Sequence, residues 1–305
     1  MAYELSDRLV VGIASSALFN LKKSDTVFKH EGLEAYRRHQ RQRRDKPLKP
    51  GVAFPFIRRL LSLNDLGDAH NPLVEVIVLS RNSPDTGIRV MRSIAHHKLP
   101  ISRAIFKQGI SPYDYMTALN MSLFLSADKN DVNNAVAAGL PAGHVLKSAF
   151  RDDDGDELRI AFDFDGVLAD DDSEKVYGSA GLPAFQEYET ANAVTPHHPG
   201  PLLNFMLNIN KIRSVEEARR MTDLNYELRL RVAIVTARNA PAHERALNSL
   251  NEWGITAVDD AFFLGGIEKR KVLDVLKPHI FFDDQRQHLV DSVPCVHIPF
   301  GVSNE

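Results

Sequence analysis

Asp163 and Asp165 stand at alternate positions where the apolar run Arg159-Ile160-Ala161-Phe162 ends. Such a run reads as a buried strand. Alternate residues of a strand face the same way, so the two carboxylates are expected side by side at its end. In an open parallel sheet, ligands bind at that end of the strands. Gly166 follows, where a sharp exit from the strand and a close approach to a ligand need a permissive backbone. Three later stretches also end in reactive groups. Val232-Ala233-Ile234-Val235 leads to the hydroxyl of Thr236, and Lys269 lies beyond Ala261-Phe262-Phe263-Leu264. The last, His279-Ile280-Phe281-Phe282, leads to the adjacent carboxylates Asp283 and Asp284.

In this order the four stretches resemble the motifs of the haloacid dehalogenase (HAD) superfamily of phosphotransferases, with Asp163-Phe164-Asp165-Gly166-Val167 as the first. The resemblance implies phosphoryl transfer, and the residue types suit it. A phosphate monoester resists attack because nucleophile and substrate are both anionic, and a metal ion relieves that repulsion. Asp163 is the expected nucleophile, forming an aspartyl-phosphate and dividing the displacement into two steps. Asp165 is expected to protonate the leaving oxygen and then to take a proton from water. Asp283, with Asp284 close behind, is expected to join Asp163 and Asp165 in an all-oxygen site for Mg²⁺. Thr236, the backbone N–H of Ala237 and Lys269 would hold the phosphoryl oxygens. Arg238 is placed either to bind phosphate or to pair with an acid of the segment inserted before it. Plainer roles compete: Asp283-Asp284 as a helix cap, Thr236 as a strand end, and Lys271 in place of Lys269. Dehalogenation is disfavoured, because carbon–halogen displacement does not need the acid/base that Asp165 supplies.

Further stretches narrow the resemblance to the type I cytosolic 5′-nucleotidases and their bacterial relatives. They are Ser15-Ser16-Ala17-Leu18-Phe19, the run Leu79-Ser80-Arg81-Asn82-Ser83-Pro84-Asp85-Thr86-Gly87, Ala261-Phe262-Phe263-Leu264-Gly265-Gly266, and Pro278-His279-Ile280-Phe281-Phe282-Asp283-Asp284-Gln285. The resemblance implies Mg²⁺-dependent hydrolysis of nucleoside 5′-monophosphates to nucleoside and phosphate. It carries Asp163 over as nucleophile, Asp165 as acid/base and Lys269 as the motif lysine. Relatives often read D-G-D-A-V at the first motif, so Phe164 is expected to set a large ring beside the substrate pocket. Arg81, Asn82 and Asp85 are expected to contribute to a nucleotide pocket. A HAD phosphatase acting on a sugar phosphate or another small phosphomonoester is the alternative. A regulatory nucleotide-binding protein ranks behind both.

The elements that position these groups occur twice. Gly32-Leu33-Glu34-Ala35-Tyr36 aligns with Gly181-Leu182-Pro183-Ala184-Phe185, and Pro50-Gly51 aligns with Pro199-Gly200. Beyond an insertion, the nine residues from Val76 to Pro84 align with those from Ala233 to Pro241, and five of the nine are identical. In this pairing Asp163 faces Ala14, Asp165 faces Ser16, Thr236 faces Leu79 and Lys269 faces Pro112. Asp283 and Asp284 face Ser126 and Ala127. Identities at motif positions favour internal duplication over a shared strand–helix texture. The expected fold is α/β, with two HAD-like, Rossmann-type three-layer halves. Residues 1–150 form a half without catalytic groups and residues 151–305 the catalytic half. Asp163 and Thr236 lie too far apart for one crossover, so a small helical cap is expected at about 175–230. The empty half is expected to serve packing between halves or between subunits of a homo-oligomer.

Composition limits the other classes. The 305 residues suit about two domains, and 44% hydrophobic with 25% charged residues is ordinary for a globular protein. A net charge of −3 gives no reason to expect a nucleic acid polymer or a membrane as partner. The single cysteine, Cys295, precludes an internal disulfide and fits a reducing, cytoplasmic setting. The apolar run at 9–19 is flanked by Glu4 and Asp7 where a signal peptide would be basic. The basic run from Arg37 to Lys46 has no interleaved aromatics and reads as a solvated helix end, with Ser24 as the N-cap of that helix. His96-His97 and His197-His198 read as a helix end and a loop. Asp152, Asp154 and Asp156 mimic a calcium loop, but Glu157 stands where that loop needs glycine, which rejects the site.

Overall fold

Each apolar run that leads to a reactive group forms a strand with helices on either side. The computed structural model describes residues 3–68, 71–153 and 155–304, so Asp154 of the calcium-like run lies outside the described residues. The chain divides into two units, Met1–Val145 and Leu146–Glu305. The first contains β1 (Leu9–Ile13), α1 (Ser15–Leu18), α2 (Lys22–Gln42), α3 (Phe54–Ser62), β2 (Val74–Ser80), α4 (Pro84–His96), β3 (Arg103–Phe106), β4 (Met121–Ser126), α5 (Lys129–Ala137) and β5 (Ala142–Val145). The second contains β6 (Leu158–Phe162), α6 (Asp172–Ala191), α7 (Leu203–Thr222), β7 (Leu230–Thr236), α8 (His243–Glu252), β8 (Val258–Phe263), α9 (Lys269–Leu276), β9 (Ile280–Asp283) and β10 (Cys295–His297).

In the first unit the strands lie in the order β3-β2-β1-β4-β5, with every pairing parallel. In the second the order is β8-β7-β6-β9-β10, again all parallel. The α/β class with mainly parallel strands is therefore as expected. β1, β2 and β4 are buried along their whole lengths, as strands covered on both faces must be. In each unit the first strand sits between the second and the fourth. Its connections leave in opposite directions there, so the crevice at its carboxyl end is the natural ligand site.

A long helix of each unit bends at a glycine. Gly32 in α2 has φ +81° and Gly181 in α6 has φ +76°, a conformation that costs an L-residue with a side chain far more than glycine. An antiparallel bridge brackets each bend, Phe19 to Pro50 in one unit and Ala169 to Pro199 in the other.

Several local expectations shift. Ser24 is not an N-cap: α2 starts at Lys22, Leu21 precedes it, and Ser24 is buried within the first turn. Ser83 does cap α4, accepting from the Thr86 N–H at 3.3 Å. The basic run occupies the end of α2 and the turn after it, exposed except at a few positions such as buried Gln40. His97 closes α4 and sits 2.8 Å from the Leu48 carbonyl through Nε2. Of the segment expected as a cap, α7 buries Phe205, Met206, Ile209 and Ile212. The Phe205 ring packs against Phe162 and Phe282, so α7 covers a sheet face. The opposite face carries a second core of Ala161, Val235, Leu273, Phe281 and Cys295.

Candidate active site

At the carboxyl end of β6, the Asp163 N–H donates to the Phe282 carbonyl at 2.8 Å. The loop after the central strand is thus tied to the end of β9. Asp163 Oδ1 accepts from the Phe164 N–H at 2.7 Å, and Oδ2 lies 2.7 Å from Lys269 Nζ. The same ammonium reaches Asp283 Oδ2 at 2.7 Å. Lys269 is the first residue of α9 and is buried, whereas Lys271 is exposed. Of the two lysines weighed from sequence, only Lys269 meets the carboxylates. Burial opposes its charge, but Asp163 and Asp283 outweigh burial and hold its pKa above the usual lysine range.

The carboxylates share that charge unequally. Asp163 is pushed up to about 7, first by burial and then by Asp283, against the pull of Lys269. Asp283 goes the other way: burial is outweighed by Lys269 and by His288, whose Nδ1 lies 3.3 Å from Oδ1. Asp283 Oδ1 also accepts from the Gln285 N–H at 2.8 Å, so Asp283 caps the next turn with one oxygen and holds the lysine with the other.

Asp284 is buried with no hydrogen-bond partner on either carboxylate oxygen. Burial pushes its pKa up to about 10, with Glu174 and Asp163 adding to the shift. Its backbone carbonyl is fixed by Asn304 Nδ2 at 3.0 Å and by His297 Nε2 at 2.9 Å. Gly166, at φ +68°, passes so close that a Cβ there would lie 2.6 Å from the carboxylate. A buried carboxylate without a donor is costly unless a proton or a cation meets it. A hard divalent cation, which takes oxygen ligands, fits this donor set. Asp163, Asp283 and His288 form a second arrangement nearby, each offering an atom within 4.8 Å of the others. A separate trio, Asp152, Asp153 and His279, meets the same spacing, but His279 Nδ1 already accepts from the Arg159 N–H at 2.9 Å.

On the other side of Asp163, Arg238 grips Asp165 with two parallel bonds, Nε to Oδ2 at 2.7 Å and Nη2 to Oδ1 at 2.6 Å. Its remaining Nη1 donates to Glu189 of α6 and to the Ala242 carbonyl. Burial works against the guanidinium charge, and Asp165 and Glu189 outweigh it, holding the pKa above the usual arginine range. Glu189 also accepts from Ser173 Oγ at 2.7 Å and from Arg245 Nη1 at 2.9 Å, with His197 Nε2 at 3.3 Å. Burial would raise its pKa, but His197 and Arg238 hold it well below the usual carboxylate range. His197-His198 is therefore more than a loop, since His197 is buried against an acid. Thr236 ends β7 with its Oγ1 accepting from the Arg238 N–H at 3.2 Å, and Ala237 follows.

Phe164, expected beside the pocket, has no exposed surface. Its ring lies between Trp253 and His197, with the Arg238 guanidinium 5.2 Å from its centre. It braces the arginine from below. A cavity of about 220 Å³ opens beside Lys269 and is lined by Ala237, Gly266, Gln287 and His288 among others. Arg81 and Asn82 belong to the first unit. There Arg81 pairs with Asp131 and Asp128, and Asn82 accepts from Tyr36 Oη at 2.5 Å.

Glu174, Glu189 and His288 escaped the sequence reading, and His197 was read only as part of a loop. Glu189 had one signal: it lies four residues after Phe185, and both face inward on α6, where a lone acid demands a partner. The other three carry no such mark.

The sequence model of the 5′-nucleotidase family matches residues 1–305. The protein named cytosolic 5′-nucleotidase 1B from Homo sapiens is 32% identical over 290 residues, which cover 92% of this chain and 46% of that protein. The chain thus spans about half the length of that curated relative. No solved structure matches the chain.

Proposed function

This chain belongs to the 5′-nucleotidase family, and from that premise we propose that it is a Mg²⁺-dependent hydrolase of nucleoside 5′-monophosphates, releasing nucleoside and phosphate. The observation that carries the reading is Lys269 held 2.7 Å from both Asp163 and Asp283, beside the partnerless Asp284. The relative's name adds a cytosolic setting, and no described helix is long and apolar enough to cross a membrane.

Asp163, Asp284 and Asp283 would hold the cation, with Asp165 beside them. When bound, the cation offsets repulsion between the carboxylates and the phosphate and draws charge from the phosphoryl oxygens. Asp163 attacks phosphorus, the bond to the 5′-oxygen breaks, and an aspartyl-phosphate remains. Asp165 gives its proton to the departing oxygen, then takes one from the water that attacks the intermediate. Arg238 holds both oxygens of Asp165, so that grip must loosen before either oxygen can reach the leaving group or water. The Thr236 hydroxyl, the Ala237 N–H and the Lys269 ammonium receive the phosphoryl oxygens as their charge shifts.

The reading extends to the architecture. The halves derive from an internal duplication, supported by the shared strand order, the paired glycine bends and the paired bridges. Residues 151–305 carry catalysis and residues 1–150 do not, because Ala14, Ser16, Leu79 and Ser126 stand where the reactive groups would be. α6 serves as the cap, reaching the site through Glu189 and Glu174. The test is phosphate release from ribo- and deoxyribonucleoside 5′-monophosphates, 3′-monophosphates and glucose 6-phosphate, with Mg²⁺ and with chelator. Mg²⁺-dependent release confined to 5′-nucleotides is expected. Equal release from glucose 6-phosphate would replace the reading with a general HAD phosphatase.

A further inference from the structure

Glu174 stands in the first turn of α6 and has no part in the chemistry described so far. One of its oxygens accepts from Gln285 Nε2, and the other accepts from Ser303 Oγ at 3.0 Å. Gln285 directly follows Asp284, the buried carboxylate that has no donor on either oxygen. The bond to Gln285 therefore ties the Glu174 carboxylate one residue along the chain from Asp284. Lys269, the ammonium of the site, is already shared by Asp163 and Asp283. A negative side chain has therefore been brought, by two oriented hydrogen bonds, toward a carboxylate that already lacks a counter-charge.

A purely structural strap between α6 and the segment after β9 would be served as well by a neutral glutamine, which would spare the repulsion. The charge becomes favourable only if a cation lies between the two acids. We infer that Glu174 is an outer carboxylate of the divalent-cation site at Asp284, accepting hydrogen bonds from water that the cation retains. This rests on the cation reading above. Both Glu174 oxygens already accept one bond and keep a lone pair free, which suits an outer position. Mg²⁺ also gives up its water reluctantly, so protein carboxylates often meet it through that water. Gln285 and Ser303 then act as the orienting partners that such outer ligands need.

The test is calorimetric titration of Mg²⁺, and separately of Mn²⁺, into the full chain without substrate. The variants are wild type, Glu174→Gln and Ser303→Ala, each checked for its circular dichroism and melting temperature. Glu174→Gln is expected to weaken cation binding by about 10- to 100-fold, the usual effect of losing an outer partner. Ser303→Ala, which keeps the charge and removes one hydrogen bond, is expected to stay within about twofold of wild type, as a single neutral hydrogen bond is a small term. Unchanged affinity in Glu174→Gln overturns the inference. Equal weakening in Ser303→Ala also overturns it, because the strap and not the charge would then be responsible. If Glu174→Gln unfolds, Glu174→Asp takes its place, and wild-type affinity in a variant with a displaced carboxylate overturns it likewise. No cation binding by the wild type would instead sink the cation reading itself.

Discussion

Arg238 and Arg81 each follow the strand that flanks the central strand of their unit, yet they hold different acids. Arg238 grips Asp165 and Glu189 and is buried. Arg81 turns to Asp128 and Asp131 and is half-exposed. The aligned positions explain it: the first unit has Ser16 and Gln40 where the second has Asp165 and Glu189. A guanidinium without its acids finds others. Gln40 instead accepts from Arg89 at 3.0 Å, a neutral acceptor in place of a charged one. The apolar strands and the glycine bends persist in both units, so the framework does not depend on the charges. The charges depend on the framework.

The sharpest way to break this contrast is at the nucleophile. Asp163→Asn is expected to lower turnover of a 5′-nucleotide by about 10⁴-fold or more, while Ser16→Ala in the first unit leaves the initial rate within about twofold. Comparable losses in both would end the assignment of chemistry to one unit.

Lys269→Ala comes next, because it leaves two buried carboxylates facing each other. Loss of a phosphoryl-stabilising group costs roughly 10²- to 10³-fold in kcat, and removing one partner of a buried ion pair costs about 3–5 kcal/mol of stability. Urea unfolding beside rate measurement reads both; full stability would mean that the carboxylates are not paired through this lysine.

Glu189→Gln should destabilise by a similar 3–5 kcal/mol, since Arg238 and Arg245 lose a buried partner. Gln40→Ala in the first unit should cost only about 1–3 kcal/mol, the usual range for an unmet neutral group. Equal losses would erase the distinction between a charged and a neutral network.

Smaller effects come from pH and from the surface. In chelator, folded Asp284 keeps its proton up to about 10 against an ordinary 3.8, with burial first and Glu174 next as causes. The folded state then binds more protons than the unfolded chain throughout that window. Stability is fully present below the lower value and falls as pH rises toward the upper. Melting temperatures from pH 5 to pH 9 should therefore decline, and Asp284→Asn or added Mg²⁺ should flatten the decline. A flat wild-type profile in chelator would remove the case for an unmet carboxylate. Arg81→Ala should cost about 1 kcal/mol, less than Glu189→Gln, because Arg81 and Asp128 are partly exposed and only Asp131 is buried.

Strand ends were legible because two local rules coincide there. A parallel strand buried on both faces must be an apolar run, and a carboxylate that interrupts such a run can only stand at its end. Asp163, Asp165, Thr236 and Asp283 were placed by that reasoning. Lys269 was placed by order along the chain, with Lys271 still open; burial in the first turn of α9 separates the two. The ring of Phe164 could not be placed, because the residue between two site carboxylates points away from both. Trp253 and His197, far along the chain, make the interior that receives it.

Sequence alone determined what is periodic or adjacent: the α/β alternation, the apolar runs that become strands and the carboxylates where those runs end. Only the tertiary structure decided the partnerships. Glu189 meets Arg238 and Glu174 meets Gln285 across 49 and 111 residues of chain, distances at which no local pattern constrains a side chain. It also decided that Asp283 is paired and Asp284 is not. The two are neighbours of the same type, and only the approach of Lys269 and His288 to one of them, with the Gly166 backbone against the other, makes them different. Charge is a property of the residue. The cost of that charge is a property of what folds around it.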